Sequence, residues 1–254
     1  MGTVAVGEAN KMLDALVGRA AYTANTAVYA KLHTGAPGAA GTSNAAAETT
    51  RKLVTFGTAA ASAAISNTAA ITWTNLAATE VITHVSFWTD VTAGTFIGSD
   101  DLNASASATA GESLTIPIGD LDITISGSGI AVGEANKMLD AWAGRATYSA
   151  SAAFYAQMHT GDPGAAGTSN QATHTTRVAL TFGTAAASGA ISCTAAASFT
   201  GITATGTESI SWFSFWSAAT AGTFLGRDDL ATARGVTTGD GLTIAIGGVA
   251  ISAT

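Results

Sequence analysis

Apolar residues Ala9, Met12, Leu13, Leu16, Val17 and Ala20 fall at i, i+3, i+4, i+7, i+8 and i+11 near the start of the chain. That spacing predicts an amphipathic helix. Glu8 in its first turn and Arg19 in its last suit the helix macrodipole. Asn10, Lys11 and Asp14 form its polar side, read as a solvated face or a contact surface. The period then changes to two. Val28, Ala30 and Leu32 alternate with Tyr29 and Lys31, and further strands are predicted at KLVTFG, Ala69–Trp73, Val81–Trp88, Thr95–Gly98, Ser113–Ile118 and Leu121–Ile125. Within Val81–Trp88, Val81, Thr83, Val85 and Phe87 are expected on one face and Ile82, His84, Ser86 and Trp88 on the other. The Ala-rich stretch 58–64 reads as a loop or edge strand because Gly and Ser flank it. Short Thr-, Ile- and Val-rich strands at 8–12-residue spacing imply a sandwich or jelly-roll.

The pattern occurs twice. AVGEANKMLDA at Ala5–Ala15 returns unchanged at Ala131–Ala141, and 37 of the 53 positions from Ala5 to Gly57 are identical at an offset of 126. Beyond Phe199 the offset becomes 128, so two extra residues are expected in a hairpin between Phe199 and Glu208. The expected organisation is therefore two tandem β-sandwich, jelly-roll-like domains, 1–126 and 130–254. Each is preceded by a short amphipathic helix, and a Gly/Ser linker at 127–129 joins them.

Composition narrows the function classes. Ala, Thr, Gly and Ser supply 147 of 254 residues, and only 27 are charged. A net charge of −7 argues against nucleic acid as a partner, which requires basic patches. Mean hydropathy of +0.33 is unlike a charged disordered tail. One cysteine, Cys193, permits no intrachain disulfide. No signal peptide is legible, and no apolar run is long enough for a membrane span.

Few residues carry recognisable chemistry. His33 and His159 are equivalent and each precedes Thr-Gly. Without a second shared ligand nearby they read as strand-end histidines bonded to loop backbone rather than metal ligands. Asp100-Asp101 and Asp228-Asp229 read as turn-forming pairs in preference to a cation site. GxSxG and the phosphate-binding GxxxxGK[ST] pattern are absent, and Cys193 has Asn67 as its counterpart. No catalytic residue, cofactor or metal site is expected. Trp88 and Trp216 are equivalent; packing is the favoured role, with sugar stacking as the alternative.

KLHTGAPGAAGTSN and QMHTGDPGAAGTSN, with the preceding N-x-M-L-D helix, the following TTRKLVTFG or TTRVALTFG, and the later SFW…GTF…DDL, resemble a family of virion surface proteins of tailed phages, especially of actinobacteria. The family includes tail-fibre, minor tail, head-fibre and capsid decoration proteins. The resemblance implies a non-enzymatic β-rich structural module, assembled in the host cytoplasm and carried on the virion. Its expected partners are other virion proteins and itself, with trimers usual for fibres, and a host cell-surface glycan in the alternative reading of a carbohydrate-binding module. The residues expected at such an interaction surface are His33, Pro37, Asn44 and Trp88, with His159, Pro163, Asn170 and Trp216.

Overall fold

The computed structural model describes residues 1–253. The protein is mainly β, built as two repeats, each carrying one helix. In the first repeat a seven-stranded sheet runs β3 (Lys52–Val54), β2 (Val28–His33), β6 (Glu80–Trp88), β7 (Phe96–Ala108), β1 (Gly2–Val4), β9 (Asp122–Thr124) and β4 (Ala64–Ser66). Neighbours are antiparallel, except that β1 and β9 are parallel. A separate ribbon pairs β5 (Ile71–Trp73) with β8 (Leu114–Ile116), and its Ile71, Trp73, Leu114 and Ile116 are buried in the same core.

The second repeat follows the same plan. β11 (Val178–Ala179), β10 (Tyr155–His159), β14 (Glu208–Trp216) and β15 (Phe224–Val236) form one sheet. β12 (Ala190–Ser192) pairs with β17 (Ala250–Ser252), and β13 (Ala197–Phe199) with β16 (Leu242–Ile244). Residues 128–130 take the place that β1 holds in the first repeat. Ser252 N–H donates to Ser128 O at 3.0 Å, and Ala131 N–H to Leu225 O at 2.8 Å. The Gly/Ser joint is thereby pinned between strands.

Helices α1 (Val6–Leu16) and α2 (Val132–Trp142) bury Ala9, Met12, Leu13, Leu16 and their equivalents as the apolar stripe predicts. Each ends earlier than expected. Gly18 and Gly144, at φ of 77° and 74°, leave the helix in the left-handed region, the usual way for a helix to end on glycine. Arg19 and Arg145 therefore lie beyond the last turn. A Cβ on Gly18 would stand 2.2 Å from Ser151 O, and one on Gly144 2.6 Å from Asn25 O, so these glycines also admit the other repeat's backbone.

That approach reflects how the repeats are joined: each helix packs on the opposite repeat. From α1, Asn10 Oδ1 accepts from Gly189 N–H at 2.9 Å and Asp14 Oδ1 from Ala186 N–H at 3.0 Å. From α2, Asn136 Oδ1 accepts from Ala63 N–H at 2.8 Å and Asp140 Oδ1 from Ala60 N–H at 3.0 Å. Arg19 Nη1 donates to Phe182 O at 3.0 Å, and Arg145 Nη1 to Phe56 O at 2.7 Å. The polar side of the helix is therefore a contact surface, satisfying loop amides that the other repeat leaves open.

The two cores are filled differently. In the first, Trp142 from α2 stands edge-on to Phe56 and Phe87, with ring centroids 5.6 and 5.5 Å away, and the buried β2 residue is the small Val28. In the second, the equivalent rings Phe182 and Phe215 are met by the repeat's own Phe154, at 5.1 Å each. The α1 counterpart of Trp142 is the smaller Leu16, also fully buried. Large and small residues have changed places between strand and incoming helix, keeping each core close-packed.

Three expectations are corrected. The pairing of β6 with β7 shifts register between Ile82 and His84, where two steps along β6 face five along β7 (Ala106 to Asp101), and the alternation of β6 is interrupted there. Ile82 therefore joins Val85 and Phe87 in the core, while Val81 is 52% exposed. The two extra residues lie in the loop 200–207, which joins β13 to β14. Those strands belong to different sheets, so the loop is no hairpin. The Asp pairs are not in turns: β7 and β15 each continue for 13 residues through them. Asp100 points inward and is 3% exposed.

Candidate functional site

The segment HTGxPGAAGTSN forms a closed loop in each repeat, clamped by a chain of side-chain hydrogen bonds. His33 ends β2 and is fully buried. Its Nδ1 lies 2.8 Å from Ser43 O and its Nε2 2.7 Å from Ser86 Oγ. A carbonyl only accepts, so Nδ1 carries the proton and Nε2 accepts from the Ser86 hydroxyl. The same oxygen accepts from Trp88 Nε1–H at 2.7 Å. The order is Trp88 to Ser86 to His33 to the loop carbonyl, with every side-chain donor in it paired. In the second repeat, Trp216, Ser214, His159 and Ser169 O repeat it at 2.7 Å each. Burial holds both histidines below their ordinary pKa, and the neutral tautomer is the one the network needs.

The loop closes on itself as well. Pro37 O accepts from Ser43 N–H, Asn44 Nδ2 donates to Ala36 O, and Thr34 N–H donates to Asn44 O, each at 2.9 Å. Asn44 and Asn170 both adopt a φ of 50°, which Asn tolerates better than most residues. Gly41, also at positive φ, sits against the Phe96 ring so closely that a Cβ would be 2.2 Å away. The loop thus lies over the outer face of the sheet, while His33 and Pro37 point inward and Asn44 is exposed. His159, Pro163 and Asn170 are arranged the same way.

Trp88 and Trp216 are 8% and 9% exposed. The guanidiniums of Arg51 and Arg177 lie 3.9 Å above their ring centroids, a cation–π contact that occupies one face. These rings offer no platform for sugar stacking. The residues expected at an interaction surface are therefore brought together, four per repeat, but most of them hold the loop in place. Sequence reasoning missed Arg51 and Arg177, and the buried Glu8–Tyr22 pair (2.8 Å) with its copy Glu134–Tyr148 (3.0 Å). Identity between the two copies, present at all of these positions, was the available signal.

Asp100 is the other buried polar feature. Its Oδ2 accepts from Asp122 N–H at 2.7 Å, and Oδ1 lies 3.5 Å from the Met1 ammonium. Burial pushes its pKa up to about 6, and burial likewise raises Asp228. No group of three or more His, Cys, Asp or Glu is placed to hold a metal ion among the described residues. No helix of the described residues is long and apolar enough to cross a membrane.

Two β-rich repeats that complete each other's cores, with their histidines bound into loop clamps, define a structural module of duplicated type. The family model described as Podophage GP4 fiber I protein gp80 matches residues 5–124 and again residues 130–252. The chain belongs to that family, in a tandem arrangement, and is a phage fibre-type, virion-associated protein. No curated protein matches it.

Proposed function

We propose that this chain is a non-enzymatic component of the outer surface of a tailed phage particle, of the tail-fibre or minor tail type. The observation that carries this reading is the interlocked pair of repeats within a fibre family: the titratable residues most suggestive of chemistry, His33 and His159, are spent on holding loops. The clamps present the exposed loop tips, around Asn44 and Asn170, as preformed surfaces. In this reading the tips meet neighbouring virion proteins or further copies of the chain, at low entropic cost because they are already ordered. Cryo-electron microscopy of purified particles tests it. Density for this chain in the tail assembly is expected. Density spread over the shell at fixed icosahedral positions overturns the tail assignment in favour of capsid decoration, and absence from the particle overturns both.

A further inference from the structure

The cations of this acidic chain are unevenly satisfied. Five of its ten Lys and Arg residues, Lys11, Arg19, Lys137, Arg145 and Arg227, are ion-paired with carboxylates. Of the other five, Lys31, Arg51 and Lys52 lie on or beside two adjacent strands of the first repeat. β2 and β3 pair Tyr29 with Leu53 and Ala30 with Lys52, so the next step of that register sets Lys31 opposite Arg51. These two line an open groove of about 410 Å³ with Thr49, Thr50, Val91 and Thr92.

The second repeat has a neutral partner at this position, whose Oε1 is used while its buried Nε2 has no partner. There Gln157 replaces Lys31, and Arg177 Nε donates to Gln157 Oε1 at 3.0 Å. In the first repeat Arg51 Nη1 donates to Asp90 O and Ala93 O, but no described residue accepts from Arg51 Nε or pairs with Lys31. The two carboxylates nearby are held by their own loops. Asp90 accepts from Thr92 N–H at 3.0 Å and Ala93 N–H at 3.3 Å, and Glu48 from Thr50 N–H and its hydroxyl at 2.9 and 2.7 Å. A Lys has thus taken the position of a neutral partner beside an Arg; the Asp90 carboxylate attracts Arg51 through space, but neither cation has a carboxylate in contact with it.

We propose that this groove binds an anionic saccharide, a sugar bearing a carboxylate or phosphate. Lys31 Nζ and the free Arg51 N–H groups converge on the anion, as charge-assisted bonds that two cations share best with one oxyanion. Thr49, Thr50 and Thr92 supply hydroxyl oxygens for the ring hydroxyls, and Val91, 48% exposed, supplies an apolar wall. The volume suits one or two sugar residues. The site belongs to the first repeat, and its chemistry does not depend on whether the chain sits on tail or capsid.

Titration calorimetry on the intact chain tests this, with tryptophan fluorescence as a second readout because Arg51 lies over Trp88. The probes are oligogalacturonate for the carboxylate, glucose 6-phosphate for the phosphate, and two controls, maltotriose and inorganic phosphate. Binding of at least one anionic sugar is expected, weakening with salt. Binding of the uronate alone or of the phosphate alone identifies the source of the charge. Lys31→Gln, which restores the residue found in the second repeat, is expected to weaken binding about tenfold or more while leaving the melting temperature unchanged. Undiminished binding by Lys31→Gln, binding of neither anionic sugar, or maltotriose binding as well as they do overturns the proposal. So does inorganic phosphate matching glucose 6-phosphate, since the sugar then contributes nothing.

Discussion

Tyr22 forms an antiparallel bridge with Tyr148, its own equivalent in the second repeat. A residue that meets its own copy lies on a two-fold axis, so the repeats are related as the subunits of an isologous dimer are, within one chain. The other contacts obey the same operator. Asn25 N–H donates to Ala141 O at 3.1 Å, and Ser151 N–H to Ala15 O at 3.3 Å. Both tyrosine hydroxyls donate to buried glutamates, and burial raises their pKa far above the ordinary phenol value.

Because each core is completed by the other repeat's helix, the chain is expected to unfold in one transition. Trp142→Ala should cost about 3–5 kcal/mol, as large-to-small core changes do, and should shift the whole urea curve rather than create a second step. Trp142→Leu with Val28→Phe should recover part of the loss, since it rebuilds in the first core the arrangement of Phe154 and Leu16. Additive effects of the two substitutions would show that the helix does not pack across the repeats.

The loop clamp should fail when its relay is cut. Ser86→Ala removes the acceptor of Trp88 Nε1 and the donor to His33 Nε2, leaving two buried groups unpaired. A loss of about 1–3 kcal/mol is expected, with faster proteolysis in residues 36–45 and no change in the corresponding loop of the second repeat. Equal protection of both loops in the variant would refute the clamp.

Two glycine substitutions should have opposite consequences. Gly41→Ala places a methyl group within 2.2 Å of the Phe96 ring at a positive φ, so several kcal/mol of destabilisation is expected. Gly7→Ala in the first turn of α1 meets nothing within 4 Å. It should raise stability by roughly a few tenths of a kcal/mol through helix propensity. Thermal unfolding of the two variants checks both signs.

Stability should depend on pH through Asp100. Its folded pKa of about 6 lies above the unfolded value near 3.8, so between these values the folded state holds the extra proton. The contribution of this residue to stability therefore grows as pH falls from about 7 to about 4. The two histidines act oppositely, because their folded pKa values lie below 6.5 and the unfolded chain takes up protons first. Asp100→Asn should stabilise the chain at pH 7, by on the order of 3 kcal/mol for a rise from 3.8 to about 6. It should also steepen the loss of stability between pH 7 and 5. An unchanged slope, measured by chemical denaturation across that range, would remove Asp100 as its source.

How much of this was legible follows from the range of each interaction. The helix stripe, the alternation at Val28–Leu32 and the closed loop at His33–Asn44 are local, and period and turn chemistry specify them without reference to the rest of the chain. The strand-end histidine bonded to loop backbone was readable for the same reason. The register shift at Ile82–His84 was not, since it is set by cross-strand pairing with β7. The Asp pair failed likewise: a turn propensity gave way to a 13-residue ladder. Duplication itself was plain in the sequence, down to the offset. The destination of each helix could only be decided in three dimensions, where the opposite core left room for it. Trp142 and Val28, like Leu16 and Phe154, share the buried core although more than a hundred residues separate them, and only close packing couples their sizes.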